Sequence, residues 1–83
     1  MKPDTEQLIH LLAFGMIADV LEHTEKDWPW SADTSTLRAA LIQAYPELTD
    51  LPFVIAVNME VASGVQPIPP GATVALLPPY SGG

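Results

Sequence analysis

Apolar side chains run almost without interruption through "QLIHLLAFGM", Gln7 to Met16. The run is short, suits β structure and closes with a glycine near its end, so it predicts a buried strand. Both of its parities are apolar: Leu8, Leu12 and Phe14 fall on one side, and Ile9, Leu11 and Ala13 on the other. In "IADVLEH" the period changes. Ile17, Val20 and Leu21 are spaced for one face of a short helix, with Glu22 to Lys26 as its exit. "DWPWS" sets two tryptophans around Pro29, which has no N–H to give to a ladder, and predicts an edge strand or an irregular connection. Trp28 and Trp30 read as cover for the rim of a small core.

"ADTSTLRAALIQAYP" is the clearest helix. Asp33, Thr34 and Ser35 offer N-cap oxygens, Leu37, Ala40, Leu41, Ala44 and Tyr45 make one apolar stripe, and Pro46 ends it. "FVIAVNMEVA" reads as strand, tight turn and strand, with Asn58 suited to the left-handed conformation that the turn requires. "PIPPGATVALLPP" adds a Pro70-Gly71 turn and a last strand from Thr73 to Leu77, stopped by Pro78 and Pro79. In that strand Val74 and Leu76 can point to the core while Ala75 and Leu77 point away. The order of elements makes a small α+β domain with a main helix packed on one face of a mixed sheet. One helix covers one face only. A first strand that is apolar on both sides therefore predicts that the sheet's second face meets a partner.

Composition sharpens this expectation. The chain has 83 residues, 48% of them hydrophobic and 16% charged, more apolar surface than one small core can hide. A net charge of -7 argues against nucleic acid or an anionic membrane as partner, since both reward clustered lysine and arginine. No cysteine is present, which removes disulfides, thiolate nucleophiles and thiolate metal sites. The start "MKPDTEQ" is unlike a signal peptide, and no apolar run approaches the roughly 20 residues of a membrane span, so a cytoplasmic protein is expected.

Self-contained chemistry is hard to find. His10 and His23 lack metal-ligand spacing; the first reads as a packed or interface residue and the second as solvated or paired with a helix dipole. Ser31, Ser35, Ser63 and Ser81 stand in no nucleophile-elbow context, the carboxylates look like polar faces, and no glycine-rich phosphate loop occurs. No metal site is expected.

What remains is the end of the chain, "LLPPYSGG". It divides the chain into a domain over residues 1–79 and a tail over residues 80–83. Pro78 and Pro79 favour an extended stem, and the tail beyond them can span roughly 13 Å at about 3.3 Å per residue. Gly82 and Gly83 lack Cβ atoms and pass through a narrow channel. A terminal carboxylate is ionised at neutral pH, with a reference pKa of about 3.3–3.7, and is inert until activated. Adenylation by a partner that uses ATP would activate it. The competing reading is a binding module whose Gly-Gly is incidental.

These residues resemble the small, sulfur-carrying subunit of molybdopterin synthase, within the ubiquitin-like β-grasp sulfur carriers. The similarity runs from "LLAFGMIADVLE" through "ADTSTLRAAL" and "VIAVNMEVA" to "PPGATVALLPPYSGG", and a proline pair before a terminal Ser-Gly-Gly is its most specific part. The resemblance implies a β-grasp fold and a defined chemistry. Gly83 is adenylated by an ATP-dependent activating and sulfurating enzyme, becomes a thiocarboxylate, and delivers sulfur to cyclic pyranopterin monophosphate in the large synthase subunit. A heterotetramer with that subunit is implied, as is no cofactor on this chain itself. Phe14, Val61 and Leu77 match positions on the family's partner-facing surface, and Pro78, Pro79, Tyr80 and Ser81 lead the tail into the partner. Carriers for thiamine or thiolated RNA share this terminal chemistry with another acceptor. The chain departs from many members at Ala18, where they carry arginine, near Glu22, where they carry glycine, and at Tyr80, where valine is usual.

Overall fold

A computed structural model of the chain describes residues 7–79. Strand β1 (Leu8–Ala13) leads into helix α1 (Met16–Leu21), then β2 (Glu25–Pro29), α2 (Thr34–Ala44), a 3-10 turn (Pro46–Asp50), β3 (Val54–Val57), β4 (Glu60–Val61) and β5 (Thr73–Leu77). The five strands form one sheet in the order β2-β1-β5-β3-β4. Strands β1 and β5, from opposite ends of the chain, lie parallel at its centre, and every other pairing is antiparallel. This is the expected α+β β-grasp arrangement, a mixed sheet with one main helix.

Helix α2 begins where its sequence offers a cap. The Asp33 carboxylate accepts from the Thr36 backbone N–H at 2.8 Å. That bond first, with the Thr36 side chain and the Ser35 N–H, holds the Asp33 carboxyl below its ordinary value. Leu37 and Leu41 from the helix are fully buried against Ile9, Leu11, Val74 and Leu76 from β1 and β5, with Ile17, Leu21, Leu48 and Phe53 closing the sides. The loops obey their own chemistry. Asn58 and Met59 both have positive φ, as a two-residue hairpin requires, and the Asn58 side-chain oxygen accepts from Thr73 N–H at 3.0 Å, joining the hairpin to β5. The Pro70-Gly71 turn closes through Ala72 N–H donating to the Pro69 carbonyl at 3.1 Å, with Gly71 at φ 80°.

Three details differ from the sequence expectation. Ala44 is exposed rather than part of the stripe, because the buried face of α2 narrows to Thr34, Leu37 and Leu41 and near its end Ile42 and Tyr45 are the residues that pack against the core. Glu25 and Lys26 belong to β2 and not to the exit of α1, since the strand's ladder outweighs their polar character: Leu12 faces Glu25 and Leu11 faces Lys26. Pro46 ends α2 but also starts the 3-10 turn, at a position where its missing N–H costs nothing, and this turn delivers Leu48 to the core. Among the described residues, no helix is long and apolar enough to cross a membrane.

Candidate functional site

The strand alternation sorts the sheet's side chains into two unlike sets. Toward α2 point Ile9, Leu11 and Ala13 of β1 and Val74 and Leu76 of β5, all buried. Away from it point Leu8, His10 and Leu12 of β1 and Thr73, Ala75 and Leu77 of β5, none of them fully buried. No element of the described chain lies over this second face.

Register makes the open face continuous. Leu12 pairs with Ala75, Ala75 with Ala56, and Ala56 with Val61, which is 60% exposed at the sheet edge. A second row sets Leu77 opposite Val54, and Phe14, 46% exposed, follows β1 at the same end, its N–H donating to the Leu76 carbonyl at 3.2 Å. Phe14, Val61 and Leu77, which come from three remote stretches of sequence, are thus brought onto one surface. Val54 and Ala56 also belong to it. All five residues of "FVIAV" are apolar, so the sequence does not mark the outward ones, and only pairing with β5 shows which parity faces outward. Ala56 is buried despite its direction because the side chain is small and lies between Ala75 and Val61.

Toward β2 the same face turns polar. His10 Nε2 lies 3.2 Å from Glu25 Oε2, and His10 Nδ1 lies 3.7 Å from Asp27 Oδ1. These groups border the apolar rows with negative charge. Behind the face, Trp28 packs on the core rim against Tyr45 with ring centroids 5.9 Å apart, and Trp30 Nε1–H donates to the Ile68 carbonyl at 2.7 Å. Trp28 therefore serves as rim cover as expected, whereas Trp30 is exposed and is held by its indole hydrogen bond instead. His23 is exposed at the end of α1.

Strand β5 leaves the sheet beside Phe14. Pro78 and Pro79, both exposed, line an apolar groove of about 320 Å³ together with Gly15, Met16, Leu51 and Pro52. Gly15 makes the close approach possible with φ 61° and ψ -137°, a backbone state that side-chain-bearing residues avoid. A Cβ there would meet Pro78 Cγ at 3.6 Å, so conformation and not space demands the glycine. The candidate tail residues Tyr80, Ser81, Gly82 and Gly83 lie outside the described residues. Among the described residues, no group of three or more histidine, aspartate or glutamate side chains is placed to hold a metal ion.

Chemically the arrangement can do two things. It offers a partner an apolar sheet face with an acidic border, and it starts the final segment of the chain from the edge of that face. Among the described residues it presents no acid, base and nucleophile together.

Comparison with known proteins agrees with this geometry. The ThiS family profile matches residues 11–83. The crystal structure of SAMP1 from Haloferax volcanii superimposes with a TM-score of 0.71 over 92% of this chain and 99% of that one, at 23% sequence identity, a likeness of fold. The family match spans nearly the whole chain, and the β-grasp sheet agrees with it: the chain belongs to the ThiS family of ubiquitin-like sulfur carriers.

Proposed function

We propose that this sulfur carrier is the small subunit of molybdopterin synthase and that Gly83 is the residue that carries the sulfur. The observation that supports the reading is the succession of an open apolar face, the strand β5 that runs through its centre, and "PPYSGG" directly after that strand. A partner seated on Phe14, Val61 and Leu77 receives the proline stem on its own surface, with Tyr80 to Gly83 leading onward.

The chemistry follows from the inertness of a carboxylate. An oxygen of the Gly83 carboxylate attacks the α-phosphorus of ATP on an activating enzyme, and pyrophosphate leaves. A sulfide equivalent then attacks the acyl adenylate, the carbon–oxygen bond to AMP breaks, and a thiocarboxylate remains. In the large synthase subunit the thiocarboxylate sulfur attacks an oxygen-bearing side-chain carbon of cyclic pyranopterin monophosphate, and the carbon–oxygen bond there breaks, its oxygen leaving on the phosphate or as water. Water cleaves the acyl carbon–sulfur bond and returns Gly83 to its carboxylate. Two carriers acting in turn supply the two dithiolene sulfurs, which fits a heterotetramer of two small and two large subunits. A glycine acyl group is the least hindered at each of these attacks.

Intact-mass analysis after incubation with an activating enzyme, ATP and a sulfur donor tests the first half, with sulfur replacing oxygen at Gly83 as the expected result. Offering the loaded carrier to the large synthase subunit with cyclic pyranopterin monophosphate tests the second, and dithiolene formation is expected. Loading without transfer to the pterin, but with transfer to a thiazole precursor or to RNA, would overturn the molybdopterin assignment and leave the carrier chemistry intact. A chain extended by one residue after Gly83 should load no sulfur.

A further inference from the structure

At the sheet edge opposite β2, strand β4 pairs with β3 over two positions, Val61 with Ala56 and Glu60 with Val57. Ala62 adds one bond, its N–H donating to the Ile55 carbonyl at 2.8 Å. The chain then turns away, and Gln66 N–H donates to Thr34 Oγ1 at the start of α2. Among the described residues, the Phe53–Val54 end of β3 is left without a strand beside it on that edge. Between this end and α2 runs a groove of about 320 Å³, whose lining includes Ser35, Arg38, Val54, Ile55, Ala62 and Val65. Val65 is 69% exposed although nothing in its loop is charged.

Arg38 stands over this groove with its guanidinium carbon 4.4 Å from the centre of the Phe53 ring. Among the described residues no carboxylate lies within ion-pair distance of it. The Asp33 carboxylate, on the same helix end, is turned onto the Thr36 N–H. A guanidinium resting on an aromatic ring keeps its edge N–H groups available for a planar anion. The chain has 3 basic residues against 10 acidic ones, and the other described cation, Lys26, sits on β2 with its ammonium donating to the Tyr45 hydroxyl at 3.3 Å. Arg38 is therefore a local positive point on a negative molecule, placed beside an unpaired strand end and apolar side chains.

We propose that this groove docks an extended segment of a partner protein, which adds to the Phe53–Val54 edge of β3, lays an apolar side chain on Ile55, Ala62 and Val65, and pairs an aspartate or glutamate with Arg38. Backbone pairing supplies the binding mode, the apolar floor a pocket for one side chain, and the bidentate cation the choice of acidic sequence. The Val54 edge pairs with Leu77 on its other side, so a segment held here sits beside the end of β5 from which Pro78 and Pro79 follow.

The test is a titration of the isotope-labelled full chain, followed by backbone amide shifts, with two capped synthetic peptides. Each alternates valine and threonine, and they differ only in ending on aspartate or on lysine. The aspartate peptide is expected to shift Ser35, Arg38, Val54 and Ala62 through Val65 and to bind about tenfold more tightly than the lysine peptide, the worth of one charge-assisted bond. Arg38→Glu should reverse that preference, and Arg38→Lys should keep its sign with a smaller ratio. Val65→Asp, a change on an exposed side chain, should weaken the aspartate peptide without disturbing the fold. Equal affinities for both peptides, no shifts in these residues, or shifts on Leu12 and Ala75 instead would each overturn the proposal.

Discussion

Leu76 and Leu77 are neighbours on one strand with the same side chain and opposite fates. Leu76 is 0% exposed beneath α2, whereas Leu77 points to the open face and is half-buried by its sheet neighbours alone. The same division runs through β1, where Leu11 is core and Leu12 is not. Hydrophobicity drives both residues of each pair into a strand, but burial comes only where a helix is available to cover them. The surplus on the other side is an apolar surface left open among the described residues, the kind of surface on which the proposed partner would seat.

Substituting these neighbours with the same charge separates the two faces most sharply. Leu76→Asp places a carboxylate in the core, costs several kcal/mol and should leave little folded protein, because a domain of this size has roughly 5–15 kcal/mol at most to lose. Leu77→Asp should remain folded, with a cooperative melt, and lose partner binding instead. Equal loss of the melting transition in both variants would show that the open face is structural. Second in size is Leu41→Ala at the centre of the α2 contact. Burial at 0% exposure predicts a loss of roughly 2–5 kcal/mol, read as a lower denaturant midpoint with an unchanged slope. Val61→Ala on the open face should move that midpoint far less.

Smaller effects come from the helix ends. Glu22 caps α1 at φ 63°, a left-handed conformation that glycine adopts freely and glutamate does not. Glu22→Gly should stabilise the domain by up to about 1 kcal/mol, strain relief being partly offset by the looser unfolded chain. This also gives a physical reason for the glycine that many members of the resembled family carry near this position. Asp33→Asn supplies the smallest and most specific change. The folded-state value of Asp33 lies below its unfolded one, so its contribution is present above the ordinary aspartate range and is lost as pH falls through the folded value. Melting temperatures of parent and variant should differ at neutral pH and converge in acid. A constant gap across pH would show that the carboxylate's charge is not what stabilises the cap.

Much of this architecture is legible in the order of residues alone. The cap at Asp33, the turns at Asn58 and Gly71, the edge position of the Pro29 strand and the inward pair Val74 and Leu76 follow from side-chain chemistry acting within a few residues, whereas both parities of β1 are apolar and neither is marked as the inward one. The 3-10 turn is hidden because Pro46 signals a helix stop and a helix start equally well. Ala44 misleads because alanine fits a stripe whether or not anything faces it. The sheet residues of the candidate site are legible in part: Phe14 and Leu77 through parity, Val61 only through resemblance, and Val54 and Ala56 not at all.

By itself the sequence determined the main helix, most of the strands and the alternation that makes β1 and β5 apolar on both sides, though not the 3-10 turn or the start of β2, because periodicity, capping and turn geometry are local. It also carries the "PPYSGG" stretch on which the role proposed for Gly83 rests. Only the tertiary structure decided that β1 and β5 lie side by side, that α2 covers one of two equally apolar faces, and that Phe14, Val61 and Leu77 share the other. Those outcomes depend on strand register and on packing between residues far apart in the chain, and such contacts are chosen by the shape and volume of the whole core rather than by any stretch of it.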